Sequence, residues 1–380
     1  MYARLEALRA ARLAQQRRWI DLDTLIRGSI GLHSTDYASP YLSAWARLPG
    51  FEPATLFERL NNGHDLVRMN CFRNTVHVVH VDDIGLINAA TGPAVFMVGR
   101  RSPALKGRSD GDVRRGLDAI HGALEGGPLS TNELKARLPD QAADLRYWLL
   151  AAMGEGEVIR ADANHARNNR TRYALTRRWV PGYTPSALAA REARACLIRR
   201  AVEAFGPVTE ADLAWWLPAP KGEVARALAS FGSDVASMTI DGARFWFSPA
   251  LADTPATPRD EHGAWLLPYE DGLLKGYADR EWMLAPGLRE VIFPYNVHHW
   301  QPPQGTSPGP GPHGGVNVSG EARPSVWWAG RVVGRWEEHG DGVVFQVHSA
   351  VGAAGEAAIA GEIHHLARFL RDQLRPISGG

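Results

Sequence analysis

Gly127–Pro139 reads GPLSTNELKARLP and Gly206–Pro218 reads GPVTEADLAWWLP. The two stretches share Gly-Pro, a Leu or β-branched position, a hydroxyl, an acid three residues later, and Leu-x-x-x-Leu-Pro. Ser130 with Glu133, and Thr209 with Asp212, have the hydroxyl-x-x-acid spacing of a helix start: the hydroxyl accepts from an orphan backbone N–H and the acid meets the positive end of the helix dipole. Leu134 and Leu138, like Leu213 and Leu217, then fall four apart on one face, and a proline ends each short helix. Downstream, Leu145, Trp148, Leu149 and Ala152 in one copy, and Val224, Ala227, Leu228 and Phe231 in the other, form apolar stripes at i, i+3, i+4, i+7. An extended pair follows each stripe: Glu157–Arg160 with Tyr173–Thr176, then Ser237–Ile240 with Arg244–Ser248. Helix, short capped helix, second helix and hairpin make a winged helix.

Working outward, residues 20–85 accommodate a third such unit, with helices expected around Leu22–Ile30, Pro40–Leu48 and Pro53–Leu60 before strands Asp65–Cys71 and Thr75–Val81. The C-terminal part differs in kind. Strands are expected at Trp265–Pro268, Pro324–Trp328, Arg331–Trp336 and Val343–Val347, with a tight turn at Ala329-Gly330 and a closing amphipathic helix over Ala357–Leu374. Gln301–Glu321 is Pro/Gly-rich and reads as a loop. The expected fold is therefore α+β: about three tandem winged-helix units followed by a C-terminal β-rich domain, divided at 1–104, 105–185, 186–255 and 256–380.

The 380 residues are 45% hydrophobic and 22% charged, with a net charge of +1. No uninterrupted apolar run reaches the roughly 18–20 residues that span a bilayer, and the Arg-rich N-terminus lacks a signal-peptide core, so a cytoplasmic location is expected. Two cysteines, Cys71 and Cys196, exclude a disulfide framework. The histidine pairs His298-His299 and His364-His365 lack metal-ligand spacing, so neither metal nor cofactor is expected. Near-zero net charge means that any contact with phosphate must come from a local patch. The wing from Arg160 to Arg178 supplies one: Arg160, His165, Arg167, Arg170, Arg172, Arg177 and Arg178 face a single acid, Asp162, with Asn164, Asn168 and Asn169 interspersed. This suits backbone contact with duplex DNA without sequence reading. The helices that would read bases carry acids (Asp140, Asp144, Glu223), which repel phosphate.

Gly31–Phe51 (GLHSTDYASPYLSAWARLPGF) and Leu66–Asp83 (LVRMNCFRNTVHVVHVDD), together with GPVTEADLAWWLP, WLLPYEDGLLKGYADR (Trp265–Arg280) and PSVWWAGRVVGRW (Pro324–Trp336), resemble in order the AlkZ-like (YcaQ-like) family of tandem winged-helix DNA glycosylases. The resemblance implies a C-shaped protein with a concave basic face for duplex DNA and excision of bulky alkyl-purine adducts, in some relatives as self-resistance to a DNA-alkylating natural product. The family's catalytic Gln-x-Gln or Gln-x-Asp, in the loop before the Pro-Tyr-Leu helix, falls here on His33 and Thr35.

Alkylation at N7 or N3 leaves a cationic purine and a weakened glycosidic bond. What remains is to hold a water at the anomeric carbon and to stabilise an oxocarbenium-like centre. His33 is expected to hydrogen-bond or deprotonate that water, so that the rate falls as pH drops through its pKa; Thr35 orients the water and Asp36 supplies negative charge. With no lysine in this unit, a Schiff-base step is not expected and the enzyme reads as monofunctional. Strand alternation puts Arg73, Thr75 and His77 on one face, with Arg73 as a phosphate contact alongside Arg167, Arg170 and Arg172. The partner is double-stranded DNA carrying alkyl-purine adducts, bound by a monomer. The alternative is a non-catalytic DNA-binding protein that shields lesions or regulates genes.

Overall fold

The computed structural model describes residues 1–163, 165–167, 171–217, 219–253, 263–294, 321–340 and 342–377. Arg170, Asn164, Asn168, Asn169, the His298-His299 pair and all of the expected Pro/Gly-rich loop except Glu321 lie outside them.

The chain is a mixed helix-and-sheet fold. Its strands are β1 (Leu32–His33), β2 (Leu66–Cys71), β3 (Thr75–His80), β4 (Leu129–Ser130), β5 (Val158–Ala163), β6 (Thr171–Leu175), β7 (Ala236–Ile240), β8 (Ala243–Phe247), β9 (Ala264–Leu267), β10 (Ser325–Trp328), β11 (Arg331–His339) and β12 (Gly342–Val347).

The repeat appears as one element order used twice. Helix Asp110–Leu124, β4, helix Thr131–Arg137, helix Leu145–Gly154 and the β5–β6 hairpin make the first copy. Helix Ala190–Phe205, helix Glu210–Trp216, helix Lys221–Ser230 and the β7–β8 hairpin make the second, with a Val208–Trp246 bridge standing where β4 stands in the first. Both capping boxes close. Glu133 N donates to Ser130 Oγ (3.3 Å) and Ser130 N to Glu133 Oε2 (2.7 Å); Asp212 N donates to Thr209 Oγ1 (3.2 Å) and Thr209 N to Asp212 Oδ2 (2.8 Å). Leu134, Leu138, Leu213 and Leu217 are all buried, as the spacing requires.

β1, β2 and β3 do not form a sheet of their own. One six-stranded sheet runs β1-β3-β2-β5-β6-β4, joined by the pairing of Arg68 on β2 with Arg160 on β5. The C-terminal strands form a four-stranded sheet, β12-β11-β10-β9, with Ala329 and Gly330 both at positive φ in the β10–β11 turn. The closing helix begins at Gly352, five residues earlier than expected.

Helix Val81–Arg100 is absent from the sequence reading, because Gly85, Gly92, Pro93 and Gly99 blur its pattern. It has the length and hydropathy of a spanning helix, yet its packing explains its composition. A Cβ on Gly92 would lie 2.4 Å from the Gly154 carbonyl, one on Gly99 2.5 Å from the Tyr147 carbonyl, and one on Gly154 2.3 Å from the Phe96 nitrogen. The missing side chains let this helix and Leu145–Gly154 meet backbone to backbone.

Gly154→Ala should therefore destabilise the chain by about 1–3 kcal/mol, the usual cost of overpacking. Gly122→Ala, on an open helix face with nothing within 4 Å of the added carbon, should stabilise it by up to about 1 kcal/mol. Urea unfolding of the two variants beside wild type checks both signs.

Candidate active site

The loop 33–37 runs from β1 to helix Ser39–Trp45. Leu32 and His33 pair with Val78 and His77 of β3. Ser34 N donates to the Val76 carbonyl (2.8 Å), and Val76 N donates back to Thr35 Oγ1 (3.3 Å). Arg68, almost fully buried, donates from Nε to Ser34 Oγ (3.0 Å) and lies 4.5 Å over the Tyr37 ring. Tyr37 hydrogen-bonds Thr171, and Ser39 Oγ donates to Asp36 Oδ2 (2.9 Å). Nearly every residue of the loop is thus anchored, while Thr35 and Asp36 remain exposed.

His33 is turned the other way. It is only 2% exposed, and neither ring nitrogen has a hydrogen-bond partner. Its Nε2 lies 3.9 Å from Glu270 Oε2, too far for a hydrogen bond. The ring packs edge-on against His77 and Tyr269. Burial first, then the neighbouring His77 and Lys275, drives its pKa far below the usual histidine value. His77, also buried, is pushed down to about 3 by burial and by Lys275. Burial favours the neutral form of both rings, and the lack of solvent access disfavours direct proton abstraction by His33.

The segment 269–280 closes the site from the C-terminal side. Glu270 takes a left-handed backbone conformation (φ 58°), and its carboxylate accepts from Ala322 N and pairs with Lys275. Asp271 accepts from Arg47 Nη2 (2.7 Å) and Nη1 (2.9 Å) and from Ser43 Oγ (2.8 Å), and caps the turn Gly272–Lys275 through Leu273 N (3.0 Å). Desolvation raises the Tyr269 pKa, reinforced by Glu270, Glu321 and Asp36. Those three carboxylates act on one phenol, and Glu270 is itself paired with Lys275. Lys275, delivered by another part of the chain, lies near His33 and pairs with Glu270.

Arg73 departs from the expected strand face. It sits in the β2–β3 turn at φ 52° with its guanidinium 3.5 Å over Trp215, while Thr75 and His77 share a face of β3. Arg73, Thr75, His77, Trp215, Trp216, Phe72 and Lys275 line a narrow cleft. The described arginines of the wing are held by partners from other parts of the chain. Arg167 pairs with Glu338 (2.5 Å), Arg177 and Arg178 with Glu125, Arg160 donates to Asn70 Oδ1 (3.0 Å), and Arg172 to the Pro128 carbonyl.

The loop 33–37 and the segment 269–280 thus meet at one candidate site, and comparison with known proteins assigns its class. The family model described as DNA glycosylase AlkZ-like matches residues 26–369, and the chain belongs to that family. Among solved structures, Streptomyces sahachiroi DNA glycosylase AlkZ is similar at a TM-score of 0.75 and 18% identity, covering 98% of this chain and 97% of that one. No curated protein matches. The chain is thus a DNA glycosylase, which decides against the non-catalytic alternative.

The two buried histidines carry a stability consequence. An unfolded chain protonates both near pH 6.5, whereas the native state holds them neutral. Stability should therefore be flat above about pH 7 and decline on acidification from about pH 6.5, by up to about 1.4 kcal/mol per pH unit for each ring. Urea titrations at pH 7.5 and 5 should show the loss, and His33→Asn should make it shallower; an identical slope in the variant would place His33 among ordinary solvated histidines.

Proposed function

We propose that this glycosylase hydrolyses the N-glycosidic bond of bulky N7- or N3-alkylated purines in duplex DNA, with the chemistry at Thr35 and Asp36, and that it serves as self-resistance to a DNA-alkylating natural product. The observation that carries the reading is the exposed Asp36 carboxylate next to Thr35, on a loop held at almost every residue, with Glu321 adding negative potential. An alkylated purine is already a cationic leaving group, and positive charge moves onto the deoxyribose as the bond breaks. Fixed carboxylates stabilise that charge without reorganising. Asp36 takes the proton of the attacking water as the bond forms, and Thr35 orients it. His33 backs the loop as a neutral, unsolvated ring.

The repeated helix–hairpin units act as tandem winged helices, with the region 1–104 as a third and the four-stranded sheet as a C-terminal β domain. Together they hold the duplex by its phosphates. Arg73, at the tip of the β2–β3 turn, and Arg167, Arg170 and Arg172 of the wing are the contacts; Arg167 exchanges Glu338 for phosphate when DNA arrives. The working form is a cytoplasmic monomer.

Single-turnover excision from a duplex carrying one N7-alkylguanine tests this. Asp36→Asn and Thr35→Ala should each slow base release, Asp36→Asn by on the order of 10², with duplex affinity near wild type. Release by wild type no faster than spontaneous depurination would remove the alkyl-purine reading, and unchanged rates in both variants would move the chemistry to other residues.

A further inference from the structure

The two copies of the repeat differ at the acid of their capping boxes. Glu133 is exposed, and its bonds with Ser130 hold its carboxyl below the usual carboxylate range. Asp212, in the same place in the second copy, is 5% exposed, and burial pushes its carboxyl up despite the bonds it accepts. A capping box closes at the surface, as Glu133 shows, so burying the second acid costs stability that capping does not require. The oxygen left over by the cap explains the burial. Asp212 Oδ2 serves Thr209, whereas Oδ1 accepts from Ala278 N (2.8 Å) and Asp279 N (3.4 Å), 66 and 67 residues further along the chain.

Those two amides belong to the segment 269–280, three and four residues beyond Lys275. The same helix, Glu210–Trp216, also holds the opposite wall of the site. Trp215 takes the guanidinium of Arg73, from the β2–β3 turn, at 3.5 Å and that of Arg280 at 5.1 Å. Trp216 stacks on Phe72 at 4.4 Å, Phe72 meets His77 edge-on at 5.2 Å, and His77 meets His33. One short helix therefore grips both the β2–β3 turn, whose second strand is bonded to the loop 33–37, and the segment that closes over it.

We propose that Asp212 is a positioning residue for base excision: through Ala278 and Asp279 it sets where the segment 269–280 stands against the loop 33–37. The inference rests on the reading above only for the placement of the chemistry on that loop. Asp212 touches no reacting atom. It acts on the rate because a displacement of about 1 Å in a wall of the site costs up to ~10²-fold. Asp212→Asn keeps the size of the side chain and removes one acceptor. The amide donor it introduces must face either Thr209 N or the two amides of the segment.

The test compares full-length wild type, Asp212→Asn and Glu133→Gln at a temperature where all three are folded. Single-turnover excision from a duplex carrying one N7-methylguanine, affinity for that duplex, and peptide-resolved hydrogen exchange are measured on each. Asp212→Asn should lower the maximal rate by on the order of 10-fold or more, leave the Kd near wild type, and speed exchange in the peptide spanning 276–281. Glu133→Gln, which loosens the equivalent cap, should excise at the wild-type rate. An unchanged rate in Asp212→Asn, or an equal fall in both variants, would overturn the proposal and leave the glycosylase standing. Release by wild type no faster than spontaneous depurination would instead remove the alkyl-purine reading. Fast exchange at Ala278 and Asp279 in the wild-type protein would overturn the proposal whatever the substrate, and even if Asp212→Asn fails to fold.

Discussion

The buried Asp271 carboxylate is the joint on which the site depends. Its two oxygens are divided among Arg47, Ser43 and Leu273 N. Arg47 and Ser43 belong to the segment that follows the loop 33–37, and Leu273 opens the turn that ends at Lys275. One carboxylate therefore fixes the distance between the loop and the lysine from opposite ends of the chain. An ion pair this dry is a poor source of net stability compared with apolar packing, but removing one partner strands the other at a cost of about 3–5 kcal/mol. Its value here is positional. Glu270, one residue away and in a left-handed conformation, is aimed by the same joint.

The repeat made much of the fold legible. A capping box is a local object: four residues determine it, and Ser130–Glu133 and Thr209–Asp212 close as their spacing demands. What local rules could not supply were long-range pairings. The meeting of β2 with β5, which merges two units into one sheet, rests on a single register of backbone contacts that leaves no periodic mark. Helix Val81–Arg100 was hidden for the opposite reason. Its glycines, unfavourable to an isolated helix, are there for close packing on Leu145–Gly154.

The site was legible in address and not in orientation. The loop 33–36 was found from its resemblance to a family motif, but a strand of two residues cannot announce which side chain turns inward. His33 does, and its burial there lowers its pKa. Charge counting along the wing is local too. The acids that answer its arginines are distant in sequence: Glu125 lies 52 and 53 residues before Arg177 and Arg178, and Glu338 lies 171 after Arg167, beyond any local window. Lys275 and Glu270 were quoted within a motif, and only the tertiary fold brings them beside His33.

On the proposed mechanism, fixed negative charge at Asp36 stabilises the cationic sugar. This is tested most directly by comparing the affinity of the enzyme for two duplexes, one with a cationic iminosugar in place of the damaged nucleoside and one with a neutral tetrahydrofuran. Tighter binding of the cationic duplex is expected, with that preference, and not the binding of the neutral duplex, lost in Asp36→Asn. Equal affinity for the two duplexes in the wild-type protein would contradict it.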